Sequence, residues 1–358
     1  LAFVRAAVAR FIDGRDEIAL TGAPPAEADH VFLTDGASEA ARHLLELLIT
    51  GPDDGIMVPI PQYPLYSATV TRCGGTQVGY YPDEEAGWTL GRSQLEEPWA
   101  AATARGVKVK AIVVINPGNP TGALLPEESV QEVIDFAAEH EVLIIADEVY
   151  QENVYGGRFV SFARALGRRE LPLCSLHSVS KGFYGECGHR GGYLEVRNPP
   201  PLKGHGLRLD QVLLKQASVS LCSNTIGQAL TFLMVSPPSA GSGPHERFRA
   251  ERDQILSELH DKALAIRGAF EEMAGVRSFG RIGALYLFPR LGRLPAGTGD
   301  FEYCMALLEE TGLVTVNGSG FGQKPGTSHL RVAFLPPKDV LAQVLPAWVS
   351  FHNRYVGA

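Results

Sequence analysis

Long apolar runs, blocks of basic residues and paired cysteines are all missing from this 358-residue chain. Its apolar runs, such as VLIIA at 142–146, are far too short to span a bilayer as a helix. No segment reads as a signal peptide. Acidic residues outnumber basic ones, 40 to 32, for a net charge of -8, and no Lys/Arg block stands out. That balance argues against nucleic acid or an anionic membrane as a partner. The five cysteines, Cys73, Cys174, Cys187, Cys222 and Cys304, are odd in number, widely spaced and without a CxxC pair. They read as free thiols of a reducing compartment, and no metal-ligand set is read from the chain.

What remains is an ordinary globular composition, 45% hydrophobic and 20% charged, long enough for one large or two ordinary domains. The chain opens at Leu1 inside an amphipathic pattern of Leu1, Val4, Val8, Phe11 and Ile12, which DGRD at 13–16 is expected to end. A helix with no lead-in suggests a processed or incomplete chain, with any upstream targeting signal unreadable.

Short apolar runs then alternate with helical patterns. GIMVPI (55–60), TQVGYY (76–81), KAIVVIN (110–116), VLIIA (142–146) and LCSLHS (173–178) are separated by helix candidates near 37–49, 64–73 and 126–140. The alternation predicts an α/β domain with a mainly parallel sheet. SPPSAGSGP at 236–244 breaks this texture, and a long charged amphipathic stretch runs from His245 to about Met273. VRSFG, ALYLF, VTV and HLRVAFL follow, with two further helical patterns. The expected division is a large domain over 1–240 and a smaller α+β domain over 241–358.

Ligands of open α/β sheets bind beyond the carboxyl ends of the strands, so the residues after each apolar run carry the argument. In TDGAS (34–38) a Gly-Ala-Ser turn opens a helix, where unpaired amides favour an anion. Gly36, Ala37 and Ser38 could hold a phosphate there; a plain N-cap at Thr34 or Asp35 is an equal alternative. NPGNPTG (116–122) places two X-Pro bonds and two glycines directly after a strand. It is expected to be a rigid turn, with one proline cis, that presents the amide of Asn119.

Asp147 closes the run VLIIA, so its carboxylate is expected at the floor of a cleft, where it needs a cationic or strongly donating partner. Tyr150 can bring a phenol to the same place. HSVSKGFYGECGHR (177–190) sets Lys181 just beyond an apolar strand, and a lysine in a partly apolar cleft can act as a nucleophilic amine. A nucleophilic lysine, a phosphate cradle and a buried aspartate together suggest pyridoxal phosphate. The lysine would form the aldimine, and the aspartate would keep the pyridine nitrogen protonated so that the ring serves as an electron sink. Arg190 offers a bidentate guanidinium to the phosphate, with the hydroxyls of Ser178 and Ser180 beside it.

TDGASEA, PQYPLYSA, NPGNPTG, ADEVYQENVY, HSVSKGFYGECGHRGGY, GSGFGQKPGT and HLRVAFLPP, spread from residue 33 to 337, resemble the class-I/II aminotransferases of fold type I. The resemblance implies that Tyr63 stacks on the cofactor ring and that Asn119 and Tyr150 hydrogen-bond its phenolic oxygen. It also implies that Arg331 binds the substrate α-carboxylate beside Asn119, that GSGFG (318–322) is a substrate-side loop, and that the protein is a homodimer. SVSK with an arginine nine residues after the lysine, together with GECGHRGGY, is more similar to the alanine-using branch than to the aspartate-using one. The implied reaction is a ping-pong exchange of L-alanine and 2-oxoglutarate for pyruvate and L-glutamate, in the cytoplasm or mitochondria, with Lys181, Asp147 and Tyr150 catalytic. Asn317 and Val179 depart from the family pattern, which has proline and threonine there. Family members also carry an N-terminal segment that closes the small domain over substrate and lends a tyrosine to the neighbouring subunit, and this sequence starts after it. The alternatives are a glutamate–glyoxylate aminotransferase, an aminocyclopropane-carboxylate synthase-like lyase, or a truncated protein that binds cofactor without turnover.

Overall fold

The computed structural model describes residues 1–202 and 206–358. Seven strands, β1 Val31–Thr34, β2 Asp54–Pro59, β3 Thr76–Tyr80, β4 Lys108–Ile115, β5 Leu143–Asp147, β6 Leu173–Ser178 and β7 Gly192–Arg197, form one sheet in the order β1-β7-β6-β5-β4-β2-β3. Strand β7 pairs antiparallel with β1 and β6, while the pairings from β6 out to β3 are parallel. The carboxyl ends of β1, β2, β4, β5 and β6 therefore share one edge.

The central strands are buried on both faces, which is why their sequences read as continuous apolar runs. Alternate residues still divide between two cores. Val113 and Ile145 join the cluster that contains Ala37–Leu48 and the C-terminal helices His245–Glu271 and Lys338–Tyr355. Ile112, Val114 and Ile144 face Glu127–Glu139 and Phe162–Leu166 instead. Among the described residues, no helix is long and apolar enough to cross a membrane.

The opening helix departs from expectation. It runs Ala2–Arg15, through the Asp-Gly-Arg expected to end it. Gly14 is exposed with open space around it, so its cost there is about 1 kcal/mol against alanine. Arg15 offsets this by a two-pronged contact with Asp16 at 2.7 and 2.8 Å. Strands β1 and β7 were not foreseen either. In β7 the charged Glu195 and Arg197 are buried as a pair at 2.7 Å, which breaks the apolar pattern of a strand interior.

Beyond His245–Glu271 lies a small antiparallel sheet, with Leu330–Ala333 between Tyr286–Leu287 and Val316–Asn317. Isolated bridges Ala123–Ile282 and Val154–Gly283 bind this region to the loops after β4 and β5. Gly122 makes the approach possible. Its φ is +68°, and a Cβ there would lie 2.0 Å from the Tyr286 carbonyl oxygen.

Candidate active site

A cavity of about 290 Å³ opens at the carboxyl edge of the large sheet. Ala37, Ser38, Tyr63, Asn119, Asp147, Tyr150, Ser178, Ser180, Lys181, Arg190 and Arg331 all line it. Gly36 and the GSGFG turn (318–322) lie off the lining, the latter reaching it through Phe321 against Arg331.

Asp147 ends β5 and is 6% exposed. Tyr66, on the helix Leu65–Arg72, donates to its Oδ2 at 2.7 Å, whereas Oδ1 has no hydrogen-bond partner among the described residues. Burial pushes this carboxyl above its ordinary value, and the Tyr66 phenol, the Val149 amide and Lys181 pull it back in part. Burial likewise holds the Tyr66 phenol well above its usual range, with the adjacent Asp147 charge adding to the effect. A buried carboxylate with one oxygen satisfied and one orphaned is the acceptor that a protonated pyridine nitrogen requires. Lys181 Nζ lies 5.3 Å from the centre of the Tyr150 ring.

At the other end, the helix Ala37–Leu48 begins without a side-chain cap. Thr34 Oγ1 donates to the Gly36 carbonyl at 3.1 Å, and Asp35 Oδ1 accepts from the Asn224 amide at 2.8 Å. Neither caps the helix, so the plain N-cap expected as an alternative is not formed. The helix amides at Ala37 and Ser38 stay available to an anion. Arg190 is fastened beside them by Nη2 to the Asp35 carbonyl and Nη1 to the Cys187 carbonyl, both at 2.9 Å, with Nη1 also 3.5 Å from Ser180 Oγ. Ser178 Oγ sits 2.9 Å from Ser180 Oγ. Gly36 shapes this end from behind: its φ is +84°, and a Cβ would fall 2.3 Å from Arg190 Nη2. The open helix terminus, two hydroxyls and a guanidinium that needs glycine beneath it fit a phosphate dianion.

Between the two ends, Asn119 Nδ2 donates to the Tyr150 hydroxyl at 3.3 Å, and Asn119 Oδ1 accepts from Arg331 Nη1 at 3.1 Å. The turn that presents Asn119 has both of its prolines, Pro117 and Pro120, in cis linkage, where one was expected. Asn116 Oδ1 accepts from the Leu125 amide at 3.0 Å and ties the turn to the chain that follows it. Tyr63 is 40% exposed at the cavity mouth. Burial raises the Tyr150 phenol well above its ordinary value, reinforced by Tyr286.

Two aromatic residues at this site escaped sequence reasoning, Tyr66 and Tyr286, while Phe321 belongs to the GSGFG turn expected on the substrate side. Tyr66 had a signal, since it stands three residues after Tyr63 at the start of a helical pattern. Tyr286 flanks Arg331 in space and not in sequence, so no spacing reveals it.

A mostly parallel sheet that gathers a lysine, a buried carboxylate and two arginines on its carboxyl edge has the architecture of fold-type I transferases. The chain belongs to the aminotransferase family: the model described as "Aminotransferase class I and II" matches residues 1–345. It is an aminotransferase, and pyridoxal phosphate is the cofactor of that family. Alanine aminotransferase 2 of Panicum miliaceum is 42% identical over 99% of this chain and 74% of its own length. Glutamate–glyoxylate aminotransferase 1 of Arabidopsis thaliana is 40% identical over 99% of this chain and 74% of its own. The solved alanine aminotransferase of Pyrococcus furiosus superposes with a TM-score of 0.83 at 27% identity, covering 99% of this chain and 82% of that one. The chain spans between 60% and 74% of the length of the curated relatives it matches.

Proposed function

We propose that this chain carries out transamination between L-alanine and 2-oxoglutarate, giving pyruvate and L-glutamate. The observation that carries the proposal is the meeting of Lys181, Asp147 and Arg331 in one cavity. When bound, pyridoxal phosphate supplies an aldehyde for amine chemistry and a ring that accepts an electron pair. Lys181, on the cavity lining, would hold the cofactor through its amine and, with that amine free, would serve as the group that takes and returns the substrate α-proton. Asp147 Oδ1, which has no hydrogen-bond partner among the described residues, would accept from the pyridine nitrogen and keep it protonated. Arg190, the amides at Ala37 and Ser38, and the hydroxyls of Ser178 and Ser180 bind the phosphate. Asn119 and Tyr150 would donate to the ring's phenolic oxygen, and Tyr63, at the cavity mouth, would cover the ring. Arg331 receives the α-carboxylate fork to fork, a contact a lysine would not reproduce.

Two observations support alanine as donor. Each cation on the lining, Lys181, Arg190 and Arg331, has a task, which leaves none for a charged substrate side chain. Relatives named alanine aminotransferase match at about 42% identity. The distal carboxylate of 2-oxoglutarate then calls on a donor from outside this lining, so the acceptor is the half of the reaction to screen. Pyruvate should form from L-alanine beyond one equivalent per site only when an oxo acid is present to take up the amino group. No sustained pyruvate formation with any oxo acid would sink this reading. Glyoxylate as the preferred acceptor would favour the second reading, a glutamate–glyoxylate enzyme, which the 40% identical Arabidopsis relative supports.

The protein is proposed to work as a homodimer in the cytoplasm or mitochondria. Exposed Leu214, Val219, Leu221 and Ile226, clustered between residues 214 and 226, support a covering partner. Light scattering coupled to gel filtration tests it, and a monomer at micromolar concentration would remove it. The division of the chain near residue 240 is supported by the Pro/Gly/Ser break between the helices Thr225–Val235 and His245–Glu271.

A further inference from the structure

Arg331 lies on the central strand Leu330–Ala333 of the small sheet. On one side Tyr286 pairs with Ala333, so Tyr286 and Arg331 are diagonal neighbours two residues apart on one sheet face, within reach of long side chains. On the other side Val316 pairs with Arg331, and the chain turns through Gly318–Phe321 to bring Phe321 back over it. The Arg331 guanidinium carbon is 4.4 Å from the Tyr286 ring centre and 4.7 Å from that of Phe321. Two aromatic faces thus bracket one guanidinium. Its side-chain hydrogen bond among the described residues is an edge-on donation to Asn119 Oδ1 at 3.1 Å. Rings on the faces and an amide on one edge leave the remaining edge for a carboxylate.

The aromatic residues are themselves fixed. The Tyr286 hydroxyl is 3.5 Å from that of Tyr150, and its backbone carbonyl abuts Gly122. Phe321 is 5% exposed, packs edge-on against Phe288 at 6.1 Å, and accepts the Gln62 amide on its carbonyl at 2.9 Å. The turn carrying it is pinned by Asp300, whose carboxylate accepts from the Ser319 amide at 3.0 Å and from the Ser319 hydroxyl at 2.8 Å.

We propose that Tyr286 and Phe321 are positioning residues that clamp the Arg331 guanidinium between their rings and so fix the plane in which it receives a substrate carboxylate. A long arginine otherwise samples many rotamers, and ordering it on substrate arrival weakens binding. The clamp imposes that order in advance, while cation–π attraction compensates the guanidinium for water lost from its faces. Its effect falls first on carboxylate affinity, because both rings lie against the Arg331 guanidinium. The inference rests on Arg331 being the carboxylate site of the proposed function.

Propionate, which has a carboxylate but no amine, isolates the clamp from the chemistry. Its dissociation constant is read by displacement in the cofactor-loaded protein for Tyr286→Leu, Phe321→Leu, Tyr286→Phe and Arg331→Lys. Each leucine variant should bind propionate about 5- to 20-fold more weakly and raise the KM for L-alanine to match, the range expected for one lost cation–π face. For Phe321→Leu the kcat should fall far less than the propionate affinity, whereas Tyr286→Leu also removes the hydroxyl beside Tyr150 and is judged on propionate binding against Tyr286→Phe, which should bind propionate like the parent. If both leucine variants bind propionate as tightly as the parent, or Tyr286→Phe loses as much as Tyr286→Leu, the clamp is refuted. The two positions lie on different segments, so a folding defect at one leaves the other to decide. If Arg331→Lys binds propionate undiminished, the carboxylate site is elsewhere and the clamp falls with it. If propionate binding follows the expected pattern but no amino acid is turned over, the clamp stands and the transaminase reading fails alone.

Discussion

Tyr66 donates its phenolic proton to Asp147 Oδ2 at 2.7 Å, which leaves Oδ1 of the same buried carboxylate as an open acceptor. The hydrogen bond does two jobs: it points the carboxylate, and it opposes the upward push of burial on the Asp147 carboxyl.

Tyr66→Phe should therefore weaken cofactor binding more at pH 6 than at pH 8. Without the phenol, the Asp147 carboxyl rises further and is protonated over more of the acidic range, where it no longer accepts from a pyridinium. The buried oxygen left unpaired costs roughly 1–3 kcal/mol. Absorbance titration of cofactor at the two pH values checks this, and equal losses at both would contradict it.

Gly36→Ala should lower cofactor affinity by about tenfold or more. The added carbon meets the Arg190 guanidinium at 2.3 Å, on a backbone whose φ of +84° already strains any other residue. The thermal midpoint should fall only modestly, because the helix behind keeps its buried Ala40, Ala41, Leu44 and Leu45. Cofactor titration alongside thermal unfolding separates the two effects.

Lys181→Ala should fold and retain the phosphate end while losing turnover by at least about 10²–10⁴-fold, the range for removal of a general acid–base group. The cofactor should then wash out on dialysis, while in the parent protein it stays. Retention after dialysis would argue that another residue carries it.

A pH effect on stability follows from Glu148, next to Asp147 and 1% exposed. Burial pushes its carboxyl from 4.5 up to about 7, although Arg15 and the Phe162 amide pull it down. Since the folded state keeps its proton to higher pH than the unfolded state, this contribution to stability is full below about pH 4.5 and is lost as pH rises through about 7. The loss amounts to roughly 3 kcal/mol. Glu148→Gln should remove that slope, so its thermal midpoint should gain on that of the parent protein between pH 5 and pH 7.5. Parallel midpoints across the range would refute it.

The sequence made legible whatever stands at the end of an apolar strand. Asp147, Lys181 and the Asn119 turn follow β5, β6 and β4 directly, where periodicity and strand-end geometry suffice. Tyr66 and Tyr286 were not legible, because each reaches the site through a side chain whose partner is distant in sequence, such as Tyr66 with Asp147, 81 positions apart. Strand β1 is only four residues long, and β7 hides a buried Glu195–Arg197 pair, so neither presents a clean apolar run. His177 shows the limit from the other side. It stands inside the most telling stretch of the sequence, yet it packs between Phe11 and Tyr193, and burial keeps its imidazole neutral with a pKa of about 3.

Gly122 rests on the Tyr286 carbonyl and accepts the Gly283 amide at 2.7 Å on its own carbonyl. That seam welds the turn bearing Asn119 to the strand beside Arg331. Asn119 and Arg331, whose side chains meet at 3.1 Å, thus hang from a single mechanical joint, so a displacement of the C-terminal strands carries the Asn119 turn with it.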